Sequence, residues 1–114
     1  MLPVASVQNR YNLTDRAAEE VLVHCETAGL AFIPWYPIAS GGLAGPGGVV
    51  AEIAAETGAT PAQVALAWLL GRSPVMVPIP GTKSVAHAEE NCEAATLILS
   101  GPQTSRLDAA DPGR

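Results

Sequence analysis

Positive charge is scarce in this sequence. Its 114 residues include six Lys or Arg residues against 11 Asp or Glu residues, which gives a net charge of −5 at pH 7. The basic residues are scattered, whereas nucleic-acid binding requires them in a patch or stripe that faces the phosphates. We therefore expect no nucleic-acid partner.

Cysteine is also scarce, with two residues in the chain. Neither Cys25 nor Cys92 lies in a C-x-x-C motif or at a Cys/His metal spacing, and His24 has no second ligand at metal spacing. The sequence therefore gives no indication of a metal site. Because free cysteine is among the most buried residue types, we expect both thiols to be reduced and to lie in the core.

No uninterrupted apolar run is long enough to span a membrane. Residues 27–51 carry no charge, but prolines and several glycines interrupt them, and a spanning helix needs about 20 mostly apolar residues. Residues 1–12 also lack the positive segment and apolar run of a secretory signal. We expect a cytoplasmic chain with no membrane partner.

The apolar residues that are present follow an alternating pattern. They make up 48% of the chain, which is enough for one buried core at this length. Short, evenly apolar runs that end at proline or polar residues are typical of buried strands, and segments with helical periodicity alternate with them. Strands are predicted at residues 4–9, 30–35 and 75–80, and helices at 16–28, 49–57, 62–71, 84–95 and 104–110.

Several helix ends carry recognisable signals. Thr14 and Asp15 precede the first helical segment and are expected to cap it. Thr60 and Gln63 form a capping-box pattern, with proline at the first helical position between them. Gly71 is expected to end that helix.

Strands that alternate with helices are typical of β-α units with a parallel sheet. Three consecutive units are found either in an open doubly wound sheet or in a sector of an eight-stranded barrel. A whole (β/α)8 barrel needs roughly 250 residues, so this chain is too short for one. We predict an α/β fold with about three parallel strands.

The polar residues that follow each strand are candidates for a binding site, because functional groups gather at the carboxyl ends of parallel strands. Gln8 offers an amide, and Trp35 offers a flat indole for stacking. The segment Gly81-Thr82-Lys83 runs into a helix N-terminus, which favours an anion, and it carries the only lysine of the chain. An amide, an aromatic surface and a phosphate site together indicate a nicotinamide dinucleotide.

At these residues the sequence resembles the aldo/keto reductase family. The similar segments are SVQNRYN, FIPWYPIASGGLAG, ATPAQVALAWLL and PIPGTKSVAHAEEN, in the family's order, and the resemblance covers about residues 4 to 110. It implies a partial TIM-type (β/α)8 barrel, corresponding to roughly the last three β-α units. It also implies NADP(H) bound in extended form without a G-x-G-x-x-G motif, which this sequence lacks.

The resemblance assigns roles to residues near the nicotinamide end of the cofactor. Gln8 would bond the carboxamide, and Trp35 would stack on the nicotinamide ring, where many relatives have tyrosine. Tyr36, Ile38 and the loop through Leu43 would line the path of the pyrophosphate.

The same resemblance assigns the adenosine end of NADP(H) to the last strand and helix. Gly81, Thr82 and Lys83 would hold the 2′-phosphate. His87 would lie near it, where relatives often have arginine or glutamine. The adenine contacts would be Glu90 and Asn91.

No catalytic residue is expected in this chain. The family's catalytic tetrad of aspartate, tyrosine, lysine and histidine lies on earlier strands, so the resemblance implies a single partial domain, residues 1–114, without the first five β-α units. A tyrosine acid needs a nearby lysine to lower its pKa. The spacing of Tyr11, Tyr36 and Lys83 in the sequence does not place the lysine next to either tyrosine.

Simpler interpretations stay open. In these, Trp35 only packs in the core at the end of a strand. Thr82 is an ordinary capping residue, and Lys83 is an ordinary surface residue. For the whole chain, one hypothesis is the NADP(H)-binding part of a reductase that acts on a small-molecule carbonyl substrate once completed. The alternative is a non-catalytic nucleotide- or partner-binding module. Open sheet edges favour self-association in either case.

Overall fold

The computed structural model describes residues 3–35, 37–38 and 48–110. Two strands, β1 (Ser6–Arg10) and β2 (Ala31–Trp35), pair in parallel, with Ser6 opposite Ala31 and Arg10 opposite Trp35. Both strands lie where the sequence predicts them. The parallel pairing confirms the β-α arrangement of this part of the chain.

The third predicted strand, residues 75–80, was wrong as a full strand. Its first residues do pair with β2, because the Phe32 N–H donates to the Val75 carbonyl over 2.9 Å and the Val77 N–H donates to the Phe32 carbonyl over 2.8 Å. The pairing stops there as a single parallel bridge. Both prolines of residues 78–80 lack an N–H group, so they cannot continue the hydrogen-bonded ladder.

The described residues contain five α-helices besides the strand pair. A 3-10 turn, Ala94–Thr96, follows the fourth of them. The helices are α1 (Glu19–Ala28), α2 (Val49–Thr57), α3 (Pro61–Arg72), α4 (Val85–Glu93) and α5 (Gly101–Asp108). No described helix is long and apolar enough to cross a membrane.

The start of α1 differs from the prediction. The helix begins at Glu19 after Ala18, which makes no side-chain cap bond, so the expected cap by Thr14 and Asp15 was wrong. The N–H and hydroxyl of Thr14 both donate to the Asn12 Oδ1, each over 2.9 Å. Short polar side chains compete for local backbone groups in this way, and here they build a turn that precedes the helix.

The capping box of α3 is confirmed. The Thr60 hydroxyl accepts a hydrogen bond from the Gln63 N–H at 3.2 Å, and the Gln63 side chain accepts one from the Thr60 N–H at 3.0 Å. Gly71 does not end the helix, which continues through Arg72. Among the described residues, the glycines with left-handed backbone, the conformation that ends helices, are Gly29 and Gly58.

The last helix also starts earlier than predicted, at Gly101. Ser100 and Gln103 form a second capping box, with hydrogen bonds of 3.2 and 3.0 Å, and Pro102 occupies the first turn. The predicted helix start at residue 104 was therefore wrong, because the S-x-x-Q pattern of Ser100 and Gln103 places the start at Gly101.

The core lies between the strand pair and the helices. Three aromatic side chains form its centre: Tyr11 packs edge-on to Phe32 at 5.6 Å and stacks on Trp68 at 6.2 Å between ring centres. Cys25 is buried there as predicted, but Cys92 is exposed, so its placement in the core was wrong. The aliphatic residues around the aromatic centre are Leu13, Leu22, Val50, Ile53, Val64, Leu66, Leu69, Met76 and Leu107.

The buried hydroxyl of Tyr11 ties three elements together. It donates to Glu19 over 2.8 Å, and Glu19 also pairs with Arg72 at the end of α3. Burial, then the hydrogen bond and charge of Glu19, raise the pKa of Tyr11 well above its ordinary value. In the folded chain Tyr11 therefore keeps its proton at a pH where an unfolded chain releases it.

This network predicts a loss of stability at alkaline pH. The unfolded chain deprotonates Tyr11 above about pH 10, so the contribution of Tyr11 to the free energy of unfolding should be constant below that pH and fall above it by up to about 1.4 kcal/mol per pH unit. Urea unfolding at a series of pH values measures this slope. Tyr11→Phe should reduce the slope, and an unchanged slope in this variant would contradict the assignment.

Candidate functional site

Gln8 and Trp35 share one face of the strand pair. Gln8 lies opposite Ile33, and Trp35 lies opposite Arg10, so both belong to the set of alternate residues that points away from the helices. Trp35 is 43% exposed. The ring is therefore accessible at the carboxyl end of β2 within the described residues.

A separate cleft of about 300 Å³ lies where α3 and α4 begin. Its walls combine residues that the sequence predicted to bind the cofactor with residues at the start of α3. Gln8, Trp35 and Lys83 do not line this cleft, and Tyr36 and Leu43 lie outside the described residues. The lining residues are Ile38, Thr60, Pro61, Ala62, Gly81, Thr82, His87, Glu90 and Asn91.

Gln63 explains why the start of α3 belongs to the cleft. Its side-chain oxygen completes the capping box, while its amide nitrogen donates to the Glu90 carbonyl over 3.0 Å. The same nitrogen lies 3.4 Å from the Glu93 Oε2. This contact fastens the first turn of α3 to α4. Sequence reasoning missed the contribution of Thr60–Ala62 to the cleft. The one available signal was Gln63: its side-chain oxygen is used in the capping box, which leaves its amide nitrogen to bind a neighbouring element.

The loop before α4 is a tight polar turn. The Thr82 hydroxyl donates to the Ser84 carbonyl over 3.3 Å and accepts from the Ser84 N–H over 3.1 Å. Ser84 in turn caps α4 by accepting from the His87 N–H over 3.3 Å. Thr82 therefore shapes the turn through its own hydroxyl. The space around Gly81 does not itself require glycine, since a Cβ at this position would have no heavy atom within 4 Å.

Positive charge at the site comes from Lys83. Its side chain is exposed and makes no hydrogen bond or ion pair within residues 3–35, 37–38 and 48–110. The arginines of the same ranges are all engaged with carboxylates or backbone carbonyls. Their partners are Asp15 for Arg10, the Leu13, Leu107 and Asp108 carbonyls for Arg16, Glu19 and Glu26 for Arg72, and Glu52 and Glu56 for Arg106.

These groups suit an elongated, phosphate-containing ligand better than a metal ion. The described residues contain no cluster of three or more His, Cys, Asp or Glu side chains that could hold a metal. Histidine, threonine and asparagine in the cleft supply donors, and the neighbouring Lys83 supplies an uncompensated charge. The indole at the end of β2 supplies a separate flat surface.

Comparison with known proteins agrees with the sequence resemblance. The model of the aldo/keto reductase family matches residues 1–112. An uncharacterized oxidoreductase of Schizosaccharomyces pombe is 52% identical over 106 residues, which is 93% of this chain and 35% of that protein. The pyridoxine 4-dehydrogenase of Escherichia coli is 44% identical over 106 residues, covering 92% of this chain and 36% of that protein.

Solved structures match the fold as well. The crystal structure of an aldo/keto reductase from Klebsiella pneumoniae in complex with NADP and acetate superposes with a TM-score of 0.85 at 30% identity, and the match covers 96% of this chain and 41% of that one. The match spans 35%, 36% and 41% of these three relatives, and the strand pair and helices of this chain are part of a TIM-type barrel. This chain belongs to the aldo/keto reductase family.

Proposed function

We propose that this chain is the NADP(H)-binding carboxyl-terminal part of an aldo/keto reductase. The observation that carries the proposal is the cleft between α3 and α4, which gathers Gly81, Thr82, His87 and Asn91 beside an unpaired Lys83. Its donors and its charge fit the adenosine 2′-phosphate of the cofactor. Preference for NADP over NAD follows from that charge.

At the adenosine end, Lys83 attracts the 2′-phosphate, and the turn of Gly81 and Thr82 brings backbone N–H groups toward it. His87 lies one helical turn further on and offers a ring donor. Glu90 and Asn91 present polar groups to the adenine from the cleft wall. Ile38 supports the cofactor from the opposite side.

At the other end, Gln8 bonds the carboxamide of the nicotinamide and the exposed indole of Trp35 stacks on its ring. Tyr36 and Leu43 are proposed for the pyrophosphate path between the two ends. The bound cofactor supplies hydride to a small aldehyde or ketone. We assign no catalytic residue to residues 1–114, which we treat as one partial domain, and place the tetrad on the five β-α units not spanned here. The two free cysteines fit a cytoplasmic location.

Calorimetric titration with NADP⁺ and NAD⁺ tests the proposal. The chain should bind NADP⁺ at least about tenfold more tightly, because a charge-assisted hydrogen bond to the 2′-phosphate contributes about 1.5–3 kcal/mol. Equal affinity for the two dinucleotides would contradict the role of Lys83. Binding of neither would favour the alternative, a non-catalytic partner-binding module.

A second proposal concerns self-association of this chain. Val77 and Ile79 are 49% and 46% exposed, and they follow Met76, which bridges to Phe32 of β2. An open parallel sheet with exposed apolar side chains at its edge favours association. We propose that copies of the chain associate through Val77, Ile79 and the open strand edges.

Sedimentation velocity tests that association. The sedimentation coefficient of the unsubstituted chain should increase with concentration, and Val77→Lys with Ile79→Lys should remove the increase. Val23→Lys provides the control, since Val23 is also 49% exposed but lies on α1. A monomer at every concentration would contradict the proposal.

A further inference from the structure

Arg10 lies between a carboxylate and the indole of Trp35. Arg10 and Trp35 are opposite each other in β1 and β2, and the guanidinium carbon is 5.8 Å from the centre of the indole ring. The Arg10 Nε lies 3.2 Å from the Asp15 Oδ2. The guanidinium therefore has both the carboxylate and the indole ring as neighbours.

The carboxylate is itself held by the backbone, because the Asp15 Oδ1 accepts a hydrogen bond from the Ala17 N–H over 3.3 Å. Asp15 and Asn12 exchange two backbone hydrogen bonds, of 3.0 and 3.2 Å, and Asn12 is only 1% exposed. The Asn12 side chain in turn accepts the N–H and hydroxyl of Thr14. This turn gives Asp15 a defined position relative to the end of β1.

Trp35, by contrast, lies at an open surface of the described residues. It borders an open cleft of about 390 Å³ with Asn9, Arg10, Ala18 and Val21 and is 43% exposed. An exposed ring that must stack on a planar ligand loses rotamer freedom when it binds. A contact that already holds the ring in the free protein reduces that loss.

We propose that Arg10 is a positioning residue for Trp35: the Asp15–Arg10 ion pair holds a cation over the indole and orients it for stacking on the nicotinamide ring. This inference rests on the proposed function, because it requires Trp35 to contact the cofactor. Cation–π contacts at exposed sites correspond to about a two- to fivefold change in affinity. Removing the contact should weaken the binding only of ligands that contain the nicotinamide.

The test compares NADP⁺ with 2′,5′-ADP, which has the 2′-phosphate but no nicotinamide. Arg10→Met keeps the length of the side chain and removes its charge, and it is measured alone and in the Trp35→Ala background. Arg10→Met alone should weaken NADP⁺ binding about two- to fivefold and leave 2′,5′-ADP binding unchanged. In the Trp35→Ala background it should have no further effect, and Arg10→Lys should recover part of the loss.

Other outcomes overturn the inference. An equal loss of NADP⁺ affinity without Trp35 would mean that Arg10 contacts the cofactor directly. An equal loss of affinity for 2′,5′-ADP would indicate a general structural or electrostatic effect. Unchanged affinity for both ligands would show that the contact between Arg10 and Trp35 does not contribute to binding. Failure of the unsubstituted chain to bind either ligand would instead overturn the proposed function, and this inference with it.

Discussion

Lys83→Glu is expected to weaken NADP⁺ binding by about 10- to 100-fold and to change NAD⁺ binding by less than about twofold. The physical reason is the isolation of this charge: the Lys83 side chain has no ion-pair partner in the described residues, so its full charge is available to an external phosphate. Charge-assisted hydrogen bonds contribute about 1.5–3 kcal/mol, which corresponds to that range of affinity. Calorimetric titration with both dinucleotides measures it.

Two further variants control for charge and for folding. Lys83→Arg keeps the positive charge and should stay within about threefold of the unsubstituted chain. Arg106→Glu makes the same change in net charge on α5, where Arg106 pairs with Glu52 and Glu56. If Arg106→Glu weakened NADP⁺ binding as much as Lys83→Glu, the effect would come from net charge and the site assignment would be wrong.

Trp68→Ala is expected to lower the free energy of unfolding by about 3–5 kcal/mol, the usual cost of removing a large buried aromatic side chain. Trp68 is 3% exposed and stacks on Tyr11. Its Nε1 donates to the Asp108 Oδ1 over 2.8 Å, and the Arg16 guanidinium lies 4.7 Å from its ring centre. The substitution removes all of these contacts at once. Urea unfolding followed by circular dichroism measures the change.

Trp35→Ala is the matched control, because it deletes the same side chain at an exposed position. We expect a loss of less than about 1 kcal/mol in unfolding free energy, together with weaker NADP⁺ binding. The two tryptophans should therefore separate into one that stabilises the fold and one that contacts the cofactor. A large stability loss in Trp35→Ala would contradict this division.

Sequence patterns predicted part of the local structure that neighbouring residues decide, although the cap expected at Thr14 and Asp15 did not form. The capping box at Thr60 and Gln63 depends on side chains three positions apart, and it formed as expected. The strand at residues 31–35 is apolar throughout and was likewise confirmed. Residues 75–80 look equally apolar, but their prolines remove the donors that a ladder needs, and the bridge with Phe32 is all that forms.

Features that depend on packing between elements could not be predicted in the same way. Cys92 was placed in the core on residue type, yet no residue of α4 is buried. Apart from the amide nitrogen of the capping Gln63, no pattern in the sequence indicated that Thr60–Ala62 would border the cleft with Glu90 and Asn91. That arrangement follows from one long-range hydrogen bond, from Gln63 to the Glu90 carbonyl.

The most direct test of the central claim is an amide NMR titration of the isotopically labelled chain with NADP⁺ and, separately, with NAD⁺. We expect NADP⁺ to shift the signals of Gly81–Ser84, Thr60 and Asn91, which surround the cleft, and NAD⁺ to shift the Gly81–Ser84 signals much less. Signals of α5, no residue of which lines the cleft, should stay in place with both. Shifts elsewhere in the chain with the Gly81–Ser84 signals unmoved would contradict the assignment of the 2′-phosphate to this cleft.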